Sequence, residues 1–188
     1  DAVLAQLGDR VHVSVEAPVA LGTAGAVGAL RGWIDGRPTV IVNADAWCVG
    51  GMDALVDGWD GERVRVLVPG GGPLGPGSLI AGSLLPWDLA RELAAVPSGL
   101  YEAVWREAVG TGRLETVAQD GPFVDCGTPA AYLAANLAAS GGRSVVSPGA
   151  RVAGRVVRSV CWEDAVVGPD EVLVDAIRFS ARGTVLVR

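Results

Sequence analysis

The sequence predicts an α/β core with a mostly parallel sheet, followed by a short C-terminal β-helix of hexapeptide type. Three observations carry that expectation. Thr39-Val40-Ile41-Val42 is a continuous apolar run that stops at Asn43 and Asp45, as in a strand covered on both faces. Apolar runs alternate with helical segments along residues 1–142, the rhythm of a layered α/β unit. Beyond Gly141-Gly142, Val146 and Val152, then Val160, Val166 and Val172, fall at six-residue intervals with a two-residue slip between the sets. The expected division is a core over 1–142 and a β-helical appendage over 143–188.

Composition narrows the function. Half of the 188 residues are hydrophobic and 19% are charged, enough for a sizeable core. No apolar run approaches the roughly 20 residues of a membrane span, and no basic leader with an apolar stretch opens the chain, so a cytoplasmic protein is expected. The net charge of −6 and the scattered basic residues argue against a nucleic-acid surface. Cys48, Cys126 and Cys161 are odd in number and lack metal-type spacing, which reads as free thiols. Every basic residue is arginine, so no mechanism can use a lysine from these residues.

Residues 3–10 read as the end of a helix and His12-Val13-Ser14-Val15-Glu16 as a short alternating strand. His12 is the sole histidine and no G-x-S-x-G accompanies it, so it is expected at a strand edge rather than in a triad. Leu21-Gly22-Thr23-Ala24-Gly25-Ala26 opens a helix running through Trp33, with Thr23 as its N-cap. Its glycines either let a ligand approach the helix N-terminus or ease packing. Residues 36–38 turn the chain into the run at Thr39, and the carboxylate of Asp45 is then expected at the carboxyl end of a strand, where open α/β sheets bind ligands. Residues 51–58 form a short helix ended by Gly58.

Arg63-Val64-Arg65-Val66-Leu67-Val68 alternates as a half-exposed strand would. Gly70-Gly71-Gly72-Pro73-Leu74-Gly75 satisfies G-x-G-x-x-G only formally: Pro73 and Pro76 interrupt it and no helix follows, so it is a loop. Residues 79–85 are the next strand, in which Gly82 marks a bulge or the close approach of a ligand. Helices are expected from Pro86-Trp87-Asp88 to about Ala95 and over 100–108, where Glu102 favours the helix dipole. Residues 114–117 are a strand. Phe123-Val124-Asp125 again ends an apolar pair with a carboxylate, and Thr128-Pro129 caps a helix over 130–139. Residues 183–187 offer one more strand.

Leu-Gly-Thr-Ala-Gly-Ala (21–26), Asn-Ala-Asp (43–45), Pro-Ser-Gly-Leu-Tyr-Glu (97–102) and Phe-Val-Asp-Cys-Gly-Thr-Pro-Ala-Ala-Tyr-Leu-Ala-Ala-Asn (123–136) occur in that order before the valine-periodic tail. Together they resemble the sugar-1-phosphate nucleotidyltransferases, in particular the mannose-1-phosphate guanylyltransferase-like and glucose-1-phosphate thymidylyltransferase-like enzymes, over nearly the whole chain. The resemblance implies a Rossmann-like core that makes an NDP-sugar and pyrophosphate from an NTP and a sugar 1-phosphate with Mg²⁺. It implies that Asp45 and Asp125 are the catalytic metal ligands. It places Gly22, Thr23, Gly25 and Asn43 against the nucleotide, and Gly82 and Glu102 against the sugar.

One departure is large. The family's glycine-rich phosphate loop and Pro-Lys segment are missing from these residues, so the resemblance implies a core without its N-terminal part and a chain inactive by itself. The alternative reading is a non-catalytic sugar-nucleotide-binding or regulatory subunit that pairs with an active relative. The tail is then a candidate surface for homo-oligomerisation.

Overall fold

A computed structural model describes residues 2–50, 52–75 and 77–187. Gly51, expected to open a short helix, and Pro76, expected to interrupt the glycine loop, lie outside them. In chain order the elements are α1 (Ala2–Leu7), α2 (Gly22–Ala29), α3 (Arg31–Ile34), β1 (Thr39–Ile41), β2 (Ala46–Cys48), α4 (Asp53–Val56), β3 (Val64–Pro69), β4 (Gly82–Leu85) and α5 (Trp87–Ala90). A π-helical turn (Tyr101–Trp105) leads into α6 (Arg106–Gly110), β5 (Leu114–Gln119), β6 (Phe123–Asp125) and α7 (Pro129–Ala139). The tail holds β7 (Val145–Val146), β8 (Arg151–Val152), β9 (Arg155–Val157), β10 (Val160–Cys161), β11 (Val166–Val167), β12 (Val172–Val174), β13 (Ala176–Arg178) and β14 (Thr184–Leu186). The chain is a mixed α/β protein that forms two compact units. One is built from the segments ending at Val42 and at Asp120, the other from Asn43–Gly50 and the chain from Gly121 onward.

The first unit is a four-stranded sheet in the order β1-β4-β3-β5 with helices packed on it. Only β3 and β5 are parallel; β4 runs antiparallel to both of its neighbours, which corrects the expectation of a mostly parallel sheet. The run at Thr39 was expected to be a central strand, yet β1 is an edge. Val40 is 46% exposed, because β1 pairs only with β4 among the described residues. An unbroken apolar run does not reveal how many neighbours a strand has. The central position falls to β3, expected to be half-exposed: Val64, Val66 and Leu67 are fully buried. Burying each of them contributes roughly 1.5–3 kcal/mol. Val64, Val66 and Val68 form one core with Ala24, Val27, Ile34, Leu93, Val104 and Trp105.

The alternation of β3 misled because Arg65 is buried rather than solvated. Its Nε donates to Glu115 Oε1 at 2.6 Å, and its Nη1 donates to the carbonyls of Asp57 (2.7 Å) and Ala54 (3.2 Å). Those carbonyls belong to the last turn of α4, so the guanidinium satisfies acceptors that a helix end leaves unpaired. Gly58, at φ +61, lets the chain turn away just beyond.

Other expectations need correction. Residues 12–16 make no strand; instead His12 stacks on Trp33 with ring centroids 5.2 Å apart, and Arg37 lies 4.8 Å from the Trp33 centroid. The helix expected through Trp33 breaks at Leu30 into α2 and α3, and Leu21, not Thr23, occupies the N-cap, without a side-chain bond. The strand at 79–85 shortens to β4 and the helix at 86–95 to α5.

In the second unit, β2 pairs antiparallel with β6, and α7 follows. Thr128 caps α7 by accepting from the Ala131 amide at 3.2 Å, with Pro129 at the first position, as the sequence indicates. The valine-periodic segment folds into stacked parallel pairs: β7 with β10, β8 with β11, β9 with β12, and β10 with β13. Val145 lies opposite Val160 and Arg155 opposite Val172, so successive layers are offset by 15 and 17 residues. β14 returns antiparallel to β13. Cys161, Ala165, Val167, Leu173 and Ala176 fill the interior. Burial pushes the Cys161 thiol up, against a smaller opposing effect from Arg178.

Two outcomes follow. Arg65→Met strips the α4 carbonyls and Glu115 of a buried partner and should cost about 3 kcal/mol in urea unfolding, whereas Arg63→Met, on the exposed Asp60 pair, should barely move the midpoint. At pH 8 iodoacetamide should alkylate the half-buried Cys48 and Cys126 well before Cys161, read by peptide mass, because a buried thiol of raised pKa carries little thiolate.

Candidate functional site

The site is set by how β2 and β6 meet. Ala46 lies opposite Asp125 in the antiparallel register, and the Cys126 amide donates to the Asp45 carbonyl at 2.7 Å. Asp45, just before β2, and Asp125, closing β6, are thereby neighbours although 80 positions separate their numbers. Both are exposed, and no basic side chain among the described residues pairs with either.

Gly127 shows where the carboxylates point. A Cβ built on it would lie 3.1 Å from Asp125 Oδ1 and 3.7 Å from Asp45 Oδ2. The Gly127 amide also donates to Asp125 Oδ1 at 3.0 Å, which orients that carboxylate. Two acidic oxygens thus flank one small volume that any side chain at 127 would fill. That donor set suits a hard cation such as Mg²⁺, which takes one or two carboxylates and keeps its other positions for water and phosphate oxygens. Among the described residues no cluster of three or more acidic, histidine or cysteine side chains could hold a metal.

The remaining predicted residues divide between the units. Asn43 is exposed beside Asp45 in the second unit. Gly22, Thr23, Gly25, Gly82 and Glu102 belong to the first. Gly22, Gly25 and Gly28 line one face of α2 against the backbone of 94–98: a Cβ on Gly22 would lie 2.7 Å from the Ser98 carbonyl, one on Gly28 2.5 Å from that of Ala94, and one on Gly25 would strike that of Val96. The Ala24 amide donates to the Ser98 carbonyl and the Ser98 amide to the Leu21 carbonyl, at 3.1 and 2.9 Å. These glycines therefore serve close backbone packing. Thr23 is exposed at the first turn of α2. Gly82 is buried beneath Leu55, Val42 and Met52, and the carboxylate of exposed Glu102 folds back over Gly99. Reading the sequence missed Gly127 as the residue that keeps space between the acids; its place two residues after Asp125 was the available signal.

Solved structures share this architecture. A Thermus thermophilus protein described as a mannose-1-phosphate geranyltransferase superposes with a TM-score of 0.65 at 15% identity, covering 98% of this chain and 76% of that one. A candidate glucose-1-phosphate thymidylyltransferase of Bacillus anthracis, in complex with sucrose, gives 0.56 at 17% identity, over 73% and 71% of the two chains. The UDP-glucose pyrophosphorylase of Acinetobacter baumannii gives 0.53 at 17% identity, over 73% and 64%. The chain has the fold of the sugar-1-phosphate nucleotidyltransferases. No protein-family model matches the sequence, and no curated protein sequence does. Within the nucleotidyltransferase fold, no helix among the described residues is long and apolar enough to cross a membrane.

The glycine face of α2 makes a direct test. Gly25→Ala should lower stability by about 2 kcal/mol through backbone overpacking, while Gly32→Ala in α3, where a Cβ meets nothing within 4 Å, should be neutral or raise it. Thermal unfolding of the pair checks this.

Proposed function

We propose that this chain belongs to an enzyme that joins a sugar 1-phosphate to an NTP, releasing pyrophosphate and an NDP-sugar. A hexose 1-phosphate is the substrate class, and mannose 1-phosphate with GTP is one pair within it. The observation that carries the reading is the convergence of Asp45 and Asp125 on the space over Gly127, in a chain whose fold matches such enzymes.

The chemistry asks for little beyond placement and charge. A phosphate oxygen of the sugar 1-phosphate attacks the α-phosphorus, the bond to the bridging oxygen breaks, and pyrophosphate leaves with that oxygen. Mg²⁺ held by Asp45 and Asp125 would neutralise charge on the phosphate oxygens. The two carboxylates fix where it sits, and the Gly127 amide keeps Asp125 turned toward that point. Asn43, exposed in the same unit as the two carboxylates, is assigned to the nucleotide. We read the stacked parallel pairs of the tail as a hexapeptide-type β-helix with shortened turns, through which copies of the chain self-associate. The cytoplasm, where nucleoside triphosphates are held, is the proposed place of action.

In the protein as its gene encodes it, pyrophosphate should appear only when NTP, sugar 1-phosphate and Mg²⁺ are all present. Asp45→Asn and Asp125→Asn should each slow the release about a hundredfold with unchanged circular dichroism. Full rates in both variants would remove the metal assignment; release without any sugar phosphate would remove the reaction.

A further inference from the structure

The tail is electrically layered. Its first coil, residues 143–158, carries Arg143, Arg151, Arg155 and Arg158 and no acid. The second, residues 159–175, carries Glu163, Asp164, Asp170, Glu171 and Asp175 and no basic residue; after it the charges are arginines again. Neighbouring coils neutralise one another where their side chains meet: Arg158 pairs with Asp175 at 2.8 Å, and the buried Arg178 pairs with Glu171. Arg155 and Asp170 are left over. Both are exposed, and neither makes an ion pair among the described residues.

These two charges border one face, built from β9 and β12. Arg155 lies opposite Val172, Val156 opposite Leu173 and Val157 opposite Val174. Leu173 and Val156 pack into the interior of the tail, so the alternation of a strand turns residues 155, 157, 172 and 174 outward. Val172 is 58% exposed and Val174 48%. Parallel strands are ordinarily covered on both faces, and here the outer face of a parallel pair presents bare valine to water.

Charge selects what covers it. The face can pack on its own copy about a two-fold axis in two senses. An axis along the stack of coils sets each coil on its like and reverses the strands, so Arg155 approaches Arg158 and Asp170 approaches Asp175. A ring of three copies about an axis in that direction also sets like coils side by side. An axis along the strands exchanges the coils instead, and the basic coil of each copy meets the acidic coil of the other. Arg155 then lies over the partner's Val172, and the partner's Asp170 is two residues further along, about 6.6 Å away, within the reach of an arginine. Val157 covers the partner's Val174, and symmetry makes every contact twice.

We propose that two copies of this chain associate through the outer face of β9 and β12 about a two-fold axis along those strands, Arg155 of each against Asp170 of the other. This rests on the reading of the tail as a surface of self-association, and it adds the face and the symmetry. The face is small beside the roughly 800 Å² that each partner gives to a stable complex, so the dimer is weak and depends on concentration. Sedimentation equilibrium of the chain should show monomer and dimer in exchange, with the dimer loosening as NaCl rises from about 0.05 to about 0.5 M. Arg155→Glu and Asp170→Arg should each weaken it about tenfold with unchanged circular dichroism. The double variant restores opposite charges across the axis and should return to within about threefold of the parent. A trimer, a dimer that Arg155→Glu tightens, a dimer indifferent to both reversals, or a double variant that stays weak overturns this face and symmetry while leaving self-association in place. A chain monomeric at every concentration removes both.

Discussion

Antiparallel pairing between Ala46–Cys48 and Phe123–Asp125 is the contact on which the placement of the two carboxylates hangs. Each strand is only three residues long, and neither would persist alone. Their backbone register sets Asp45 beside Asp125, and the Cys126 amide on the Asp45 carbonyl extends it by one more bond. Two like charges held near one point repel each other unless something positive comes between them. No arginine in the described structure fills that role. The arrangement tolerates the repulsion because both carboxylates are open to water, and it places them where a hard cation would relieve it.

Glycine serves two distinct ends in this chain. At 127 it leaves room between carboxylates, and the space it vacates faces solvent. At 22, 25 and 28 it leaves no room at all: the backbone of 94–98 occupies the place of the missing side chains. Both patterns read alike in a sequence, as small residues near a helix start. The α2 glycines were expected to receive a ligand or to ease packing, and the contacts found in the first unit are packing contacts. Arginine is likewise split between roles. Arg65 is a buried clamp on the carbonyls of α4, whereas Arg63, two residues earlier and open to solvent, pairs with Asp60 and shares Glu115 with Arg65.

The tail shows how far periodicity carries a structural argument. Val146, Val152, Val160, Val166 and Val172 all lie in strands, and those strands pair in parallel. The offsets of 15 and 17 residues fall short of three full six-residue steps. The last strand abandons the pattern and turns back on β13. Aromatic residues outside the repeat, at 132, 162 and 179, gather along that final layer.

Local chemistry alone determined the capped helix at Thr128-Pro129, the loop at 70–75, the strands of the valine-periodic tail and the carboxylate that closes β6, because each rests on interactions within a few residues; Asp45 was expected to end the strand that starts at Thr39, but that strand stops at Ile41 and Asp45 sits in the turn before β2. The resemblance of ordered motifs to the nucleotidyltransferases was also legible, and the fold agrees with it. Only the tertiary structure decided that Thr39–Ile41 is an edge, that Val64–Pro69 is central and that Arg65 is inside, since strand order and burial depend on pairings across the chain. It also decided that Asp45 and Asp125 share one point in space. A sequence shows which residues can end a strand, but which strand ends meet is settled by backbone hydrogen bonds between segments far apart along the chain.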